Sequence, residues 1–219
     1  MKAPQWGLAL LILAAAAVPE VDLTVSGWFF EPPNRFILRY FPPFEFIRRE
    51  TQEAVGFLAL VVAQAWLAGR ILGKTLLGID GRRCLYLLGS LALGPGLVVN
   101  GVLKEFWGRA RPTTVREFGG DLQFSPALIP SDQCSHNCSF VSGHAAAAFW
   151  LVSFALLVPP RWRPLAVAVA LGCGGAMGLV RVAQGGHFLS DVVYAGAVTF
   201  IVSLGMRRLI LGPESRPLP

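Results

Sequence analysis

Six apolar stretches dominate this chain and constrain what it can fold into. They run from Trp6 to Thr24, Ala54 to Leu72, Cys84 to Leu103, His144 to Val158, Leu165 to Val182 and Val192 to Leu211. A helix needs roughly 20 apolar residues to cross the hydrocarbon core of a bilayer. Most of the six approach that length, and the fourth is short, stopped by Pro159-Pro160. Hydrophobic residues make up 54% of the chain and charged residues 15%, against about 25% charged in a typical soluble domain. The predicted fold is all-α, a bundle of six transmembrane helices forming one integral-membrane domain over residues 1–219.

The net charge of +6 raises nucleic acid as a partner, but the basic residues form no dense run and sit at the ends of apolar segments, as membrane anchors do. The expected partner is therefore the bilayer, not nucleic acid. With the N-terminus in the cytoplasm, Arg70, Lys74, Arg82 and Arg83 fall in a cytoplasmic connection, Arg161 and Arg163 in the next, and Arg207, Arg208 and Arg216 near the C-terminus. Arg35, Arg39, Arg48 and Arg49 lie on the opposite side, in Trp28 to Glu53, a stretch of aromatics, prolines and charges that reads as an interfacial segment. Lys2 ahead of an alanine-rich run also fits a signal peptide. Pro19, Glu20 and Asp22 interrupt the end of that run and no small-x-small cleavage site follows, so a retained helix is expected.

Cys84 and Cys173 lie in apolar stretches and are expected to be buried thiols. Cys134 and Cys138 lie in a polar loop and are expected to pair in an oxidising compartment; a zinc site using His136 is the alternative, though without an evident fourth ligand. Gly174-Gly-Ala-Met-Gly178 is a GxxxG-like stretch suited to close helix packing, chiefly inside the bundle.

Three polar clusters fall at the ends of these segments, where ionisable groups are costly and point to function. The first is Lys104-Glu-Phe-Trp-Gly-Arg-Ala-Arg111-Pro112. Lys104 and Arg111 are seven apart, about two helical turns, which predicts two cations on one face before Pro112 ends the helix. Such a pair is a receptor for phosphate, or else ordinary anchoring at a helix C-terminus. The second is Phe140-Val-Ser142-Gly143-His144, with Ser142 placed to cap a helix, Gly143 open to close approach of a ligand, and His144 placed to give a proton. The third runs from Arg181 through Gly185-Gly186 to His187 and Asp191. His187 and Asp191 are four apart, so on a helical turn the carboxylate reaches the imidazole and fixes its tautomer, leaving the other nitrogen free to attack. Each cluster alone also has a structural reading: anchor, cap, and His–Asp pair.

Together they resemble the three-part signature of the type 2 phosphatidic acid phosphatase (PAP2) family, whose membrane branch contains lipid phosphatases and whose distant members are vanadium haloperoxidases and bacterial acid phosphatases. The resemblance covers Lys104 to Asp191. It departs at Val141, where the family usually has Pro, and at Val180, where it often has Ser. The resemblance implies that His187 is the nucleophile, oriented by Asp191. Lys104, Arg111, Arg181, the Ser142 hydroxyl and the Gly143 amide hold the phosphate, while His144 protonates the leaving oxygen and then activates water. It implies no metal and no cofactor, since three fixed cations do what magnesium does in kinases. The implied activity is a lipid phosphate or diphosphate phosphatase acting at the periplasmic face of a bacterial inner membrane. Candidate substrates are undecaprenyl diphosphate, phosphatidylglycerophosphate, phosphatidic acid and the phosphates of lipid A, and the outer basic residues lean towards a strongly anionic one such as a diphosphate. A phosphotransferase using the same site, and a non-catalytic transporter or scaffold, are the alternatives.

Overall fold

The computed structural model describes residues 14, 18–33 and 35–212. Most of the first apolar segment therefore lies outside the described residues; its last turns form α1, Pro19–Gly27. Proline at the first helical position suits α1, because its missing N–H is one a helix start leaves unpaired anyway. A short antiparallel hairpin follows, β1 (Phe30–Glu31) against β2 (Arg35–Phe36). Phe30 and Phe36 close on Phe118 with ring centroids 5.1 to 5.5 Å apart, which pins the hairpin to the loop that carries the site.

Helix α2 runs from Pro42 to Leu72 and stops at Gly73, whose φ of 65° is the left-handed conformation that ends helices. Pro42 to Glu53, expected in the interfacial segment, are instead the first turns of α2. At 1.5 Å per residue its 31 residues reach about 46 Å, well beyond the ~30 Å hydrocarbon core. Helix α3 spans Gly81–Phe106, capped by Asp80, whose carboxylate accepts from the Arg83 amide at 2.8 Å. Its second half, Ala92–Leu103, is π-helical around Pro95. Proline removes a ladder donor, and the Asn100 side chain takes up the Pro95 carbonyl at 2.6 Å. Helices α5 (Arg163–Ala183) and α6 (Leu189–Leu211) complete the four helices that, among the described residues, are long and apolar enough to cross a membrane. Cys84 on α3 is buried as expected, whereas Cys173 on α5 is exposed.

The fourth segment behaves differently. Helix α4, Gly143–Ala155, is about 20 Å long, too short to span by itself. It is the centre of the bundle, with Ala145, Ala146 and Trp150 fully buried. Alanine lets neighbours approach closely, and polar side chains bind across the contact. Trp150 donates to the Leu87 carbonyl at 3.0 Å, and the Ser153 hydroxyl bonds Ser90 at 2.9 Å and Ser203 at 2.8 Å. In a bilayer such interhelical bonds replace the water that a soluble core would use.

Candidate active site

The three sequence clusters meet at one end of this bundle, drawn together by the loop between α3 and α4. The Lys104 carbonyl accepts from the Cys138 amide at 2.9 Å and the Arg109 carbonyl from Ser139 at 2.8 Å, so residues 138–139 lie along 104–109. Helix α3 ends at Phe106, and Gly108, at φ 72°, turns the chain where a Cβ would strike the Ser131 carbonyl. Arg111 is therefore in extended backbone, not two turns along the face that bears Lys104. What unites the two cations is Asn137. Its side-chain oxygen accepts from Lys104 Nζ at 2.6 Å and Arg111 Nη2 at 2.9 Å, and its carbonyl takes a second Arg111 bond at 2.6 Å. Asn137 sits inside the small loop closed by the Cys134–Cys138 disulfide. With both thiols so used, His136 faces Glu105 at 3.2 Å rather than a thiolate.

Ser142 caps α4, accepting from the Ala145 amide at 3.4 Å, and its own amide donates to the Asp191 carbonyl at 3.1 Å. Gly143 is buried against Asn100, whose side-chain oxygen would lie 2.5 Å from a Cβ at that position. His144, on the first turn of α4, has its pKa held down at about 3, by burial first and then by the charges of Arg181, His187, Arg48 and Lys104, so its ring is neutral in the free site.

Arg181 ends α5. The chain then turns through Gly185, at φ 68° and packed on the Phe36 ring, and Gly186, where a Cβ would lie 2.3 Å from Arg181 Nη2. Arg181 Nη1 donates to Gln184, which in turn donates to Glu45 at 2.7 Å on the overhang of α2, where Glu45 also binds Arg48. Arg181 Nε is buried with no partner among the described residues. A guanidinium N–H left unpaired in this way is costly unless a ligand supplies an acceptor.

His187 precedes α6 and is 1% exposed. Its Nδ1 lies 2.8 Å from the Ser139 carbonyl, which can only accept, so Nδ1 carries the proton. Burial is the main cause that lowers the value of His187 to about 4, and Arg181 and Arg111 act the same way against the pull of Asp191. The ring is thus neutral near pH 7, with its lone pair on Nε2. Asp191 does not reach it directly: Oδ2 is 3.7 Å from Nδ1, beyond a hydrogen bond. That carboxylate instead caps α6 through the Phe188 amide at 2.8 Å and accepts from the Ser139 hydroxyl at 2.6 Å. Asp191 therefore fixes Ser139, and the Ser139 carbonyl fixes His187.

Behind Asp191 lies a buried network that spacing does not reveal. Arg109, fully buried, donates to Asp191 at 2.6 Å, to Asp22 on α1 at 2.7 Å and to the Ser125 carbonyl at 2.8 Å. Burial alone would lower the proton affinity of Arg109, but the two carboxylates outweigh it and raise it. Asp22 also accepts from the Ser190 amide and hydroxyl. The sequence does carry a signal for both residues. Arg109 is a third cation among apolar neighbours, and Asp22 is an acid in an apolar run, where an ionisable group calls for a partner.

Comparison with known proteins adds the family. Over 186 residues the chain is 38% identical to a lipid A 4'-phosphatase from Francisella tularensis subsp. novicida, covering 84% of this chain and 83% of the relative. A lipid A 4'-phosphatase from Rhizobium leguminosarum is 44% identical over 115 residues, 52% of this chain and 49% of that one. A lipid A 1-phosphatase from Rhizobium johnstonii is 37% identical over 99 residues, 45% of this chain and 36% of its own. No solved structure gives a significant match. The PAP2 superfamily profile matches residues 83–212, which span α3 to α6 and every residue of the three clusters, and the chain belongs to that superfamily.

Proposed function

We propose that this membrane phosphatase removes a phosphate monoester from lipid A through a phosphohistidine on His187. The observation that carries the mechanism is the state of His187: buried, neutral, its Nδ1 proton committed to Ser139, with no hydrogen bond to Nε2 among the described residues and the ring in the electrostatic field of Arg181 and Arg111. Nε2 attacks phosphorus, and the electron pair of the breaking P–O bond passes to the sugar oxygen, which takes a proton from His144. The dianion held nearby favours the protonated form of His144. Lys104, Arg111, Arg181 through its unpaired Nε, the Ser142 hydroxyl and the Gly143 amide hold the phosphate oxygens as charge moves onto them. Water, deprotonated by His144, then displaces Nε2 from phosphorus, releasing orthophosphate and the neutral ring.

The substrate reading rests on the relatives, two of which carry the name lipid A 4'-phosphatase. It replaces the lean towards a diphosphate with a monoester on a strongly anionic lipid, for which Arg35, Arg39, Arg48 and Arg49 remain suitable neighbours. The basic connections at the other end of the bundle support a site on the periplasmic face of the inner membrane. Phosphate release from lipid A, phosphatidic acid, phosphatidylglycerophosphate and undecaprenyl diphosphate, in detergent with EDTA, tests the proposal. Release is expected to be fastest from lipid A, at its 4'-phosphate, and abolished in His187→Ala. Equal release by that variant, phosphate transferred to another lipid, or preference for undecaprenyl diphosphate would contradict it.

A further inference from the structure

An apolar groove of about 420 Å³ lies between α2, α4 and α5, lined among others by Thr51, Leu58, Ala148, Cys173, Ala176 and Met177. Its position relative to the site follows from helix periodicity. On α4, Ala148 is four residues below His144, and on α5, Met177 and Cys173 are four and eight below Arg181. Residues four apart share a helix face. The faces that present His144 and Arg181 at the top therefore present apolar lining beneath. On α2 the same holds below Arg48, where Thr51, Val55 and Leu58 line the groove. The groove has one hydroxyl, that of Thr51, and it is spent on the Ile47 carbonyl at 2.7 Å.

Its depth has a meaning in a membrane. From Ile47 to Leu58 the lining extends about 16 Å along α2 at 1.5 Å per residue, close to half of a ~30 Å hydrocarbon core. A volume in the range of small-ligand sites, one leaflet deep, apolar along its length and cationic at its upper end has the shape of an amphiphile. We propose that this groove seats one acyl chain of the lipid whose phosphate lies against Arg181 and His144, so that the substrate is held by its hydrocarbon as well as by its charge. The inference rests on the lipid phosphatase reading and adds to it the face from which the lipid enters, between α2 and α5. Binding energy from a part of the substrate remote from the reacting bond improves positioning at phosphorus.

Two measurements on the full-length protein test it. The first compares cleavage of lipid A and of p-nitrophenyl phosphate, a monoester without a chain, in the same micelles. Ala176→Trp fills the groove and is expected to lower kcat/KM for lipid A at least tenfold while leaving p-nitrophenyl phosphate within twofold; equal effects on both would overturn the proposal. The second needs no turnover and no bulky substitution in the groove. His187→Ala is photolysed with phosphatidic acid carrying a diazirine midway along one acyl chain. Adducts are expected on peptides covering residues 47–58 and 173–180. Adducts confined to other helices, or none on these peptides, would overturn the groove assignment. Failure of the native enzyme to release phosphate from any lipid would instead count against the catalytic reading, and the crosslinks would still decide the groove.

Discussion

His187, Ser139, Asp191, Arg109 and Asp22 form one line of contacts from the reacting nitrogen to helix α1. Each member is buried, so each charge depends on the next. Removing one partner of a buried ion pair costs about 3–5 kcal/mol because the other is left uncompensated. Asp22→Ala is accordingly expected to lower the thermal midpoint in detergent strongly, and Asp22→Asn, which keeps the shape, to lower it less; a loss of activity with no loss of stability would contradict this. The same burial sets a pH expectation. Protonation of His187 is deferred from 6.5 to about 4, so the free enzyme keeps its nucleophile through mildly acidic pH. The acid limb of kcat/KM reports the free enzyme. After allowance for the substrate's own ionisation near about 6, it should fall below about pH 5; a limb at the ordinary histidine value would contradict a neutral buried ring. Asn137 offers a third test. It presents one neutral oxygen to both Lys104 and Arg111, the kind of acceptor that a phosphate oxygen is. Asn137→Asp supplies a permanent carboxylate there, and since charge-assisted bonds are about twice as strong as neutral ones, the variant is expected to raise KM by roughly tenfold or more. An unchanged KM would show that Asn137 lies off the phosphate path.

At the scale of elements, small residues decide how closely the helices meet. A Cβ at Gly174 would lie 2.1 Å from the Phe149 ring of α4, and one at Gly178 would lie 2.1 Å from Val192 of α6. The GxxxG-like stretch is thus used inside the bundle, by two different neighbours. Overpacking a close contact costs about 1–3 kcal/mol, so Gly178→Ala is expected to lower the melting temperature while Gly175→Ala, which meets nothing within 4 Å, leaves it unchanged. Similar losses in both would contradict the contact. Much at this scale is legible in sequence, because apolar length and a capping serine are local properties: α3, α5 and α6 lie close to their expected spans, and Ser142 caps α4. The start of α2 is not, since Pro42-Pro43 reads as a break yet also opens a helix well. The two-turn spacing of Lys104 and Arg111 misleads for a related reason. Gly108 ends the helical path between them, and a loop far along the chain supplies the contact that periodicity was expected to give.

At the scale of the molecule, a short buried helix meets the ends of three longer ones in one layer, where the proposed site lies. Helix α4 is too short to span, but its N-terminus needs only to reach the layer where Lys104, Arg181 and His187 arrive from α3, α5 and the start of α6. The overhang of α2 covers that layer from outside through Glu45 and Gln184. The clusters that carry charge were readable because ionisable groups in an apolar chain are few. Their wiring was not, because Asp22 to Arg109 and Ser139 to His187 are contacts between distant parts of the chain. The central claim is that phosphate passes through His187, and rapid quenching with lipid A labelled by radioactive phosphorus in its phosphates tests it most directly. An acid-labile, alkali-stable label is expected on the peptide containing His187, formed and lost at the rate of turnover and absent from His187→Ala. Full turnover with no labelled enzyme in the native protein, or undiminished phosphate release by His187→Ala, would contradict it.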